Sequence, residues 1–327
     1  MNRRKITRAF FICLIALFSA AKSSLALETV RVAYPSMNTS VFCLLIAQKE
    51  GYLKEEGLDV QLLSIRGEIA IRTALAGEVH FFTNAGSALA AGVRGVPVKI
   101  ATVFQDKPGW DLIAHPDIKS VAQLRGKNIA VMSPEGSLAI VAREILRKNG
   151  IDPSKDVNLV VMGGDEVRFP ALQTKSVQAT LFNTAMSIRA QKDGFTKLAT
   201  ASDYANLIEG GLATTNDKIK QNPEKTFRFI RAALKGLNFF VSKKEAATQY
   251  MMDALRMKDS ELINAIYDIQ SRLILREGYS DDKVLQSMID DMKKTTKVQR
   301  NVKIADIFDL SFVKKANDEL KTSGWKP

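Results

Sequence analysis

The 327-residue chain is 46% apolar and 25% charged, with a formal charge of +12, two histidines and two cysteines. That length and apolar share support two domains, each with an ordinary core. The basic excess is spread along the chain rather than clustered with aromatics, which argues against a nucleic-acid groove.

Met1 to Ala26 has the order of a secretory signal: basic Arg3, Arg4, Lys5 and Arg8, an apolar run from Ala9 to Phe18, then Ser24-Leu25-Ala26 with small residues at the recognition positions. Cleavage after Ala26 is expected, and with it a periplasmic destination. The apolar run is about ten residues, short of the roughly 20 that a membrane-spanning helix needs. No cofactor motif follows that would demand export in a folded state, so the general secretory route is favoured over the twin-arginine one. Loss of the leader's five basic residues lowers the formal charge from +12 to +7, a balance that still raises the encounter rate with anions. Cys13 leaves with the leader, so Cys43 can form no internal disulfide and the fold must stand on its core.

Thr29 to Tyr34 reads as a strand, Val41 to Tyr52 as a helix and Leu58 to Ile65 as a strand, which makes a β-α-β unit. A helix carrying Ile71, Ala74 and Leu75 follows, then a short strand His80 to Thr83, a helix Ser87 to Arg94 closed by Gly95, and a strand Val98 to Phe104. After Trp110 to Ala114, the link His115-Pro116-Asp117 opens a second series. It runs helix Val121 to Leu124, strand Asn128 to Met132, helix Leu138 to Lys148, strand Asn158 to Met162, helix Phe169 to Thr174. The alternation predicts parallel sheets. From about Ala213 the pattern turns helical, with Phe227, Ile230, Leu234 and Leu237 on one stripe and Val284, Leu285, Met288 and Met292 on another. These helices need a sheet to cover. Residues 27–114 and 210–327 are therefore expected to form one discontinuous lobe, and 115–209 a second.

The residue types that carry catalysis are sparse. His80 and His115 have no neighbour at metal-ligand spacing. Ser311-Phe312-Val313-Lys314 lacks the partners of a serine-lysine site. No G-x-G-x-x-G or Walker sequence supports a nucleotide, so no cofactor is expected. Cys43, inside an apolar helix, reads as a packed small hydrophobe. The pattern argues against an enzyme.

Three strand-to-helix junctions are instead rich in small polar residues: Ser36, Asn38, Thr39 and Ser40; Asn84, Gly86 and Ser87; Ser133, Gly136 and Ser137. A helix N-terminus exposes unpaired N–H groups and a partial positive charge, so each junction can take a carboxylate, sulfonate, phosphate or nitrate oxygen. In an open α/β sheet such junctions share the carboxyl edge, where ligands bind. Ordinary helix capping is the competing account of each. Trp110 offers a stacking platform for the apolar part of a solute, with core packing as the alternative. Asp165 and Glu166 are read either as an ammonium site or as solvated loop charges.

Several segments together carry a family likeness. Val30 to Tyr34 with its polar loop, Ala47-Gln48-Lys49-Glu50-Gly51-Tyr52 and Glu56-Gly57-Leu58-Asp59-Val60 open it. Ser87-Ala88-Leu89-Ala90-Ala91, Arg94-Gly95-Val96-Pro97-Val98 and Leu124-Arg125-Gly126-Lys127-Asn128 continue it, and Gly150-Ile151-Asp152-Pro153, Pro170-Ala171-Leu172-Gln173 and Pro223-Glu224-Lys225 extend it. In order and spacing these resemble the nitrate, sulfonate and taurine-type (NMT1-like) substrate-binding proteins of ABC importers. The resemblance implies a type II periplasmic binding protein fold: two doubly wound α/β lobes joined by two crossover segments and closing like a Venus flytrap on a small, anionic solute. It also implies permease subunits at the inner membrane as partners and a monomeric protein. One departure stands out: where the family has Gly-x-Val-Asp-Ala, this chain reads Lys175-Ser176-Val177-Gln178-Ala179. A related branch makes a thiamine pyrimidine precursor with a cysteine-rich motif that is missing here, and a ligand-presenting sensor component would use the same cleft.

Overall fold

The computed structural model describes residues 26–65, 67–132, 134 and 136–327; residues 1–25, and with them nearly all of the expected leader, lie outside it. The described residues form ten strands in chain order: β1 (Glu28–Tyr34), β2 (Leu58–Ser64), β3 (Phe81–Phe82), β4 (Val98–Gln105), β5 (Trp110–Ala114), β6 (Asn128–Val131), β7 (Asn158–Val161), β8 (Ala179–Asn183), β9 (Thr196–Thr200) and β10 (Gly210–Thr215). They build two five-stranded sheets, ordered β2-β1-β3-β10-β4 and β7-β6-β8-β5-β9. In β1 the apolar residues alternate with polar ones, so Val30 and Val32 are fully buried while Arg31 is exposed, and Val30 lies opposite Val60 of the parallel strand β2.

Parallel sheets were expected; both are mixed. β10 runs antiparallel to β3 and β4, and β5 antiparallel to β8 and β9. Each reversed strand is the one by which the chain enters that lobe from the other. Trp110–Ala114 thus pairs in the second sheet rather than the first, and the chain crosses between lobes at 106–109, not after 114. The return crossing, residues 201–209, lies against it. Leu207 N–H donates to Asp106 O (2.8 Å) and Glu209 N–H to Gln105 O (3.1 Å).

Several elements differ from their expected bounds. The first helix divides into Thr39–Lys49 and Tyr52–Glu55 because Gly51 turns the chain at φ +81°, and Asn38 caps the first piece by accepting from Val41 N–H. The next junction helix starts at Ala85, so Gly86 and Ser87 lie in its first turn. Val121–Leu124 is a single 3₁₀ turn under a Ser120/Gln123 capping box. Asp165 and Glu166, read either as an ammonium site or as loop charges, open helix Asp165–Gln173. Strands β8 and β9 were not anticipated. The first four residues of β8 are all buried, which erases the period-two signal.

The core around the first sheet joins Val32, Phe82 and Ile100 to Phe229, Leu237, Leu285 and Val313 of the C-terminal helices. Phe81 stacks on Phe229 at 4.3 Å. Helix Pro223–Ser242 crosses helix Thr39–Lys49 at Gly236, where a Cβ would fall 2.1 Å from Cys43 O. Cys43 is fully buried there, and burial pushes its thiol far above the ordinary range. His80 accepts Arg31 N–H at Nδ1 (3.1 Å), and burial, then neighbouring cations, lower its pKa to about 4. Among the described residues no helix is long and apolar enough to cross a membrane.

Candidate functional site

Among the described residues three helices begin along one edge of the second sheet, two of them one loop after a strand and the third directly after β8. Gly136 caps helix Ser137–Lys148, Gly164 caps Asp165–Gln173, and Asn183 caps Thr184–Lys192 with its side-chain oxygen on Met186 N–H. At the first two no side chain among the described residues caps the helix, which leaves the positive end of the first uncompensated, while at the second the Glu166 carboxylate folds back against Gly164. Between them lies a cavity of about 500 Å³, within the range of small-molecule sites. Trp110, Met132, Leu138 and Leu181 give it apolar walls; Ser137, Asp165, Arg168 and Asn183 supply polar groups.

Arg168 is only 3% exposed. One terminal nitrogen, Nη1, donates to Thr180 Oγ1 (3.2 Å) and Leu181 O (2.8 Å), and Nη2 pairs with Asp165 Oδ1. Asn183 Nδ2 holds the other carboxylate oxygen at 2.8 Å. Nε is buried without a partner among the described residues, an expensive state unless something supplies an acceptor. Burial raises the Asp165 pKa, with Arg168 pulling it back, and burial likewise lowers that of Arg168. The pair is neutral overall. What the cavity offers a visitor beyond that pair is the helix N–H groups, foremost those at Ser137.

Of the residues singled out in the sequence, Trp110, Gly136, Ser137 and Asp165 meet in this cavity; Ser133 lies outside the described residues. The first-lobe set does not line it. Ser40 is fully buried and its hydroxyl takes Gly211 N–H (2.8 Å), so that group fixes β10 and is not open to a ligand. Asn38 is a cap, Ser36 is exposed, and Thr39 reaches Gln270 Oε1 at 3.4 Å. Asn84 precedes helix Ala85–Val93, and Gly86, with Ser87 beside it, packs so closely that a Cβ would lie 3.2 Å from Ile208 O. Next to them the Thr83 hydroxyl is buried without a partner among the described residues.

Sequence reasoning missed Arg168 and Asn183. A lone arginine between Val167 and Phe169 on a helix was the available signal. It also missed Glu209 on the return crossing, a half-buried carboxyl that burial pushes up to about 8. Gln178, in place of the family aspartate, accepts Asn128 N–H (3.0 Å) and donates to Lys175 O (2.7 Å). It precedes β8, at the opposite end from Asn183, so the departure leaves the cavity untouched. A larger groove, about 650 Å³, runs between helices Ser137–Lys148 and Asp282–Thr296. Its rim carries Arg143, Glu144, Arg147, Asp291 and Lys294, without a buried donor set, so the smaller cavity is the better candidate.

Two α/β lobes with mixed sheets, joined by paired crossings and presenting helix N-termini at one sheet edge, define the periplasmic binding protein fold. The chain belongs to the NMT1/THI5-like family, whose model matches residues 38–247. It is 23% identical over 311 residues to a Bacillus subtilis (strain 168) protein named for binding aliphatic sulfonates, with 91% of each chain covered. The periplasmic aliphatic sulphonate binding protein SsuA of Escherichia coli superposes with a TM-score of 0.70 at 15% identity, over 85% of this chain and 96% of that one. The desulfurization enzyme DSZB shares the fold at a TM-score of 0.63 and 16% identity, over 89% and 99%. Such identities fix the fold and leave the chemistry to the site.

Proposed function

We propose that the protein is the solute-binding component of an ABC importer, a monomer exported to the periplasm that captures a small organic solute bearing an oxyanion and delivers it to the permease. The observation that carries this reading is the second-lobe cavity, in which two helix N-termini without a side-chain cap among the described residues meet walls of Trp110, Met132 and Leu138, and Arg168 adds a buried positive charge to the lining. Oriented N–H donors favour an anion, and the apolar walls favour a carbon body attached to it. The sulfonate names among the relatives agree with that chemistry. DSZB shows that the fold can also carry an enzyme; in this chain Cys43, the one cysteine among the described residues, is fully buried and does not line the cavity. In this reading a solute seated in the second lobe draws the lobes together only to the extent that it also touches the first.

Thermal-shift screening of sulfonates, carboxylates and nitrate, followed by calorimetric titration, tests the proposal. We expect an alkyl- or aryl-sulfonate or carboxylate to bind at micromolar affinity or better and nitrate to bind more weakly. Turnover of a bound compound, or binding of cations alone, would overturn it.

A further inference from the structure

Helix Ser260–Arg272 belongs to the first lobe, where Ile263 and Ile266 enter the core and Tyr267 OH donates to Phe240 O at 2.8 Å. One of its side chains leaves that lobe. Gln270 Nε2 donates to Thr184 Oγ1 (2.9 Å), on the first residue of a second-lobe helix, and Thr184 Oγ1 donates onward to Gly109 O (2.9 Å) in the crossing. On the other side of the amide, Gln270 Oε1 accepts from Gln105 Nε2 (2.9 Å) at the end of β4 and from Thr39 Oγ1 (3.4 Å) at the start of the first helix. Lys192 and Glu261 add an exposed ion pair (3.4 Å) between the same two helices.

One amide therefore touches both lobes and both ends of the first crossing. Its second-lobe partner, Thr184, directly follows Asn183, which grips the Asp165 carboxylate beside Arg168. The connection runs unbroken from the first-lobe helix N-terminus at Thr39 to the cavity wall. Gly109 leaves room for it: a Cβ there would fall 2.7 Å from Gln270 Nε2.

We infer that Gln270 is a positioning residue that couples the solute cavity to the first lobe and sets how far the lobes part. The inference rests on the proposed solute-binding function. Because Gln105 and Gly109 flank the crossing, the clasp lies beside the pivot, where rotation displaces atoms least. It persists through opening and restricts its direction, so the donor set of the second lobe meets the first lobe in one orientation. Without it the open ensemble widens, and solute has to select a rarer competent arrangement.

The test uses spin labels at Asp59→Cys and Lys155→Cys, both exposed and in different lobes; Cys43 is buried and stays unlabelled. Gln270→Met keeps the side chain's length and removes its hydrogen bonds, Thr184→Val removes the partner, and Gly109→Ala displaces the amide without touching either. Each is expected to broaden the distance distribution between the labels and to weaken binding of the best solute from the screen by about tenfold, the worth of one hydrogen bond. The Gln270→Met/Thr184→Val pair should lose clearly less than the sum of the two, since both break the Gln270–Thr184 bond. A folded Gln270→Met or Gly109→Ala protein with the wild-type distribution would overturn the inference, as would additive losses in the double variant. Should no solute bind, the proposed function fails, while the label distances still decide the clasp.

Discussion

Arg168 and Asp165 pair one turn apart on a single helix, and the guanidinium is almost wholly enclosed while the carboxylate is shared with Asn183. A buried pair of this kind gains little over an apolar substitute but is costly to break from one side, because the survivor keeps its charge in a poor solvent. Arg168→Met should therefore destabilise the protein by about 3–5 kcal/mol, with the Arg168→Met/Asp165→Asn double variant recovering much of the loss. Denaturant titration reads both. A single variant within about 0.5 kcal/mol of wild type would mean that water already reaches the carboxylate.

Ser137 separates ligand binding from capping. It is exposed, stands at the first helical position, and no side chain among the described residues caps the helix. Ser137→Ala should leave thermal stability nearly unchanged, well under the roughly 1 kcal/mol that loss of a true cap costs. Solute affinity should fall about tenfold to hundredfold if the hydroxyl donates to a charged oxygen. Calorimetry on wild type and variant, with melting curves alongside, tells the two roles apart.

Gly236 reverses an ordinary rule. In a helix interior, glycine to alanine normally stabilises by about 1 kcal/mol. Here the new methyl would press on Cys43 O and Ala47 Cβ. Gly236→Ala should instead cost on the order of 1–3 kcal/mol, the usual toll of overpacking. A raised melting temperature would show that the helices slide apart freely.

Glu209 gives stability a pH slope. With its pKa raised by burial from 4.5 to about 8, the folded state keeps a proton that the unfolded chain releases. Stability is full below about 4.5 and declines steadily as pH rises to about 8, since unfolding is then accompanied by proton loss. Glu209→Gln should flatten this part of the profile and leave the acid side unchanged. Melting temperatures at half-unit pH steps provide the measure; parallel curves for both proteins would place the carboxyl in ready contact with water.

The two-lobed α/β architecture was legible because amphipathic helices such as Ser137–Lys148 and half-buried strands such as β1 carry their periods openly. β8 was not, since a strand enclosed on both faces has no alternation to read. The lobe assignment of Trp110–Ala114 depended on hydrogen bonds to β8 and β9, which no local pattern encodes. At the cavity, glycine and serine at helix starts were visible and brought Gly136 and Ser137 forward. Arg168 stayed hidden, because its importance lies in enclosure by Thr180, Leu181 and Phe182, residues more than ten positions away. Asn38 and Ser40 looked like ligand donors and turned out to be occupied by the backbone of their own lobe.

The place of β10 has a consequence for the order of assembly. It sits between β3 and β4, so until residue 215 has been made the first sheet is a three-stranded piece and a detached strand with an open slot between them. The second sheet, by contrast, is complete by Thr200. A chain emerging from its N-terminus can close the inner lobe first and must hold the outer one unfinished, its long-range pairings delayed by the loop they enclose. The topology therefore lets the inserted lobe close first, with β10 the strand that completes the outer sheet.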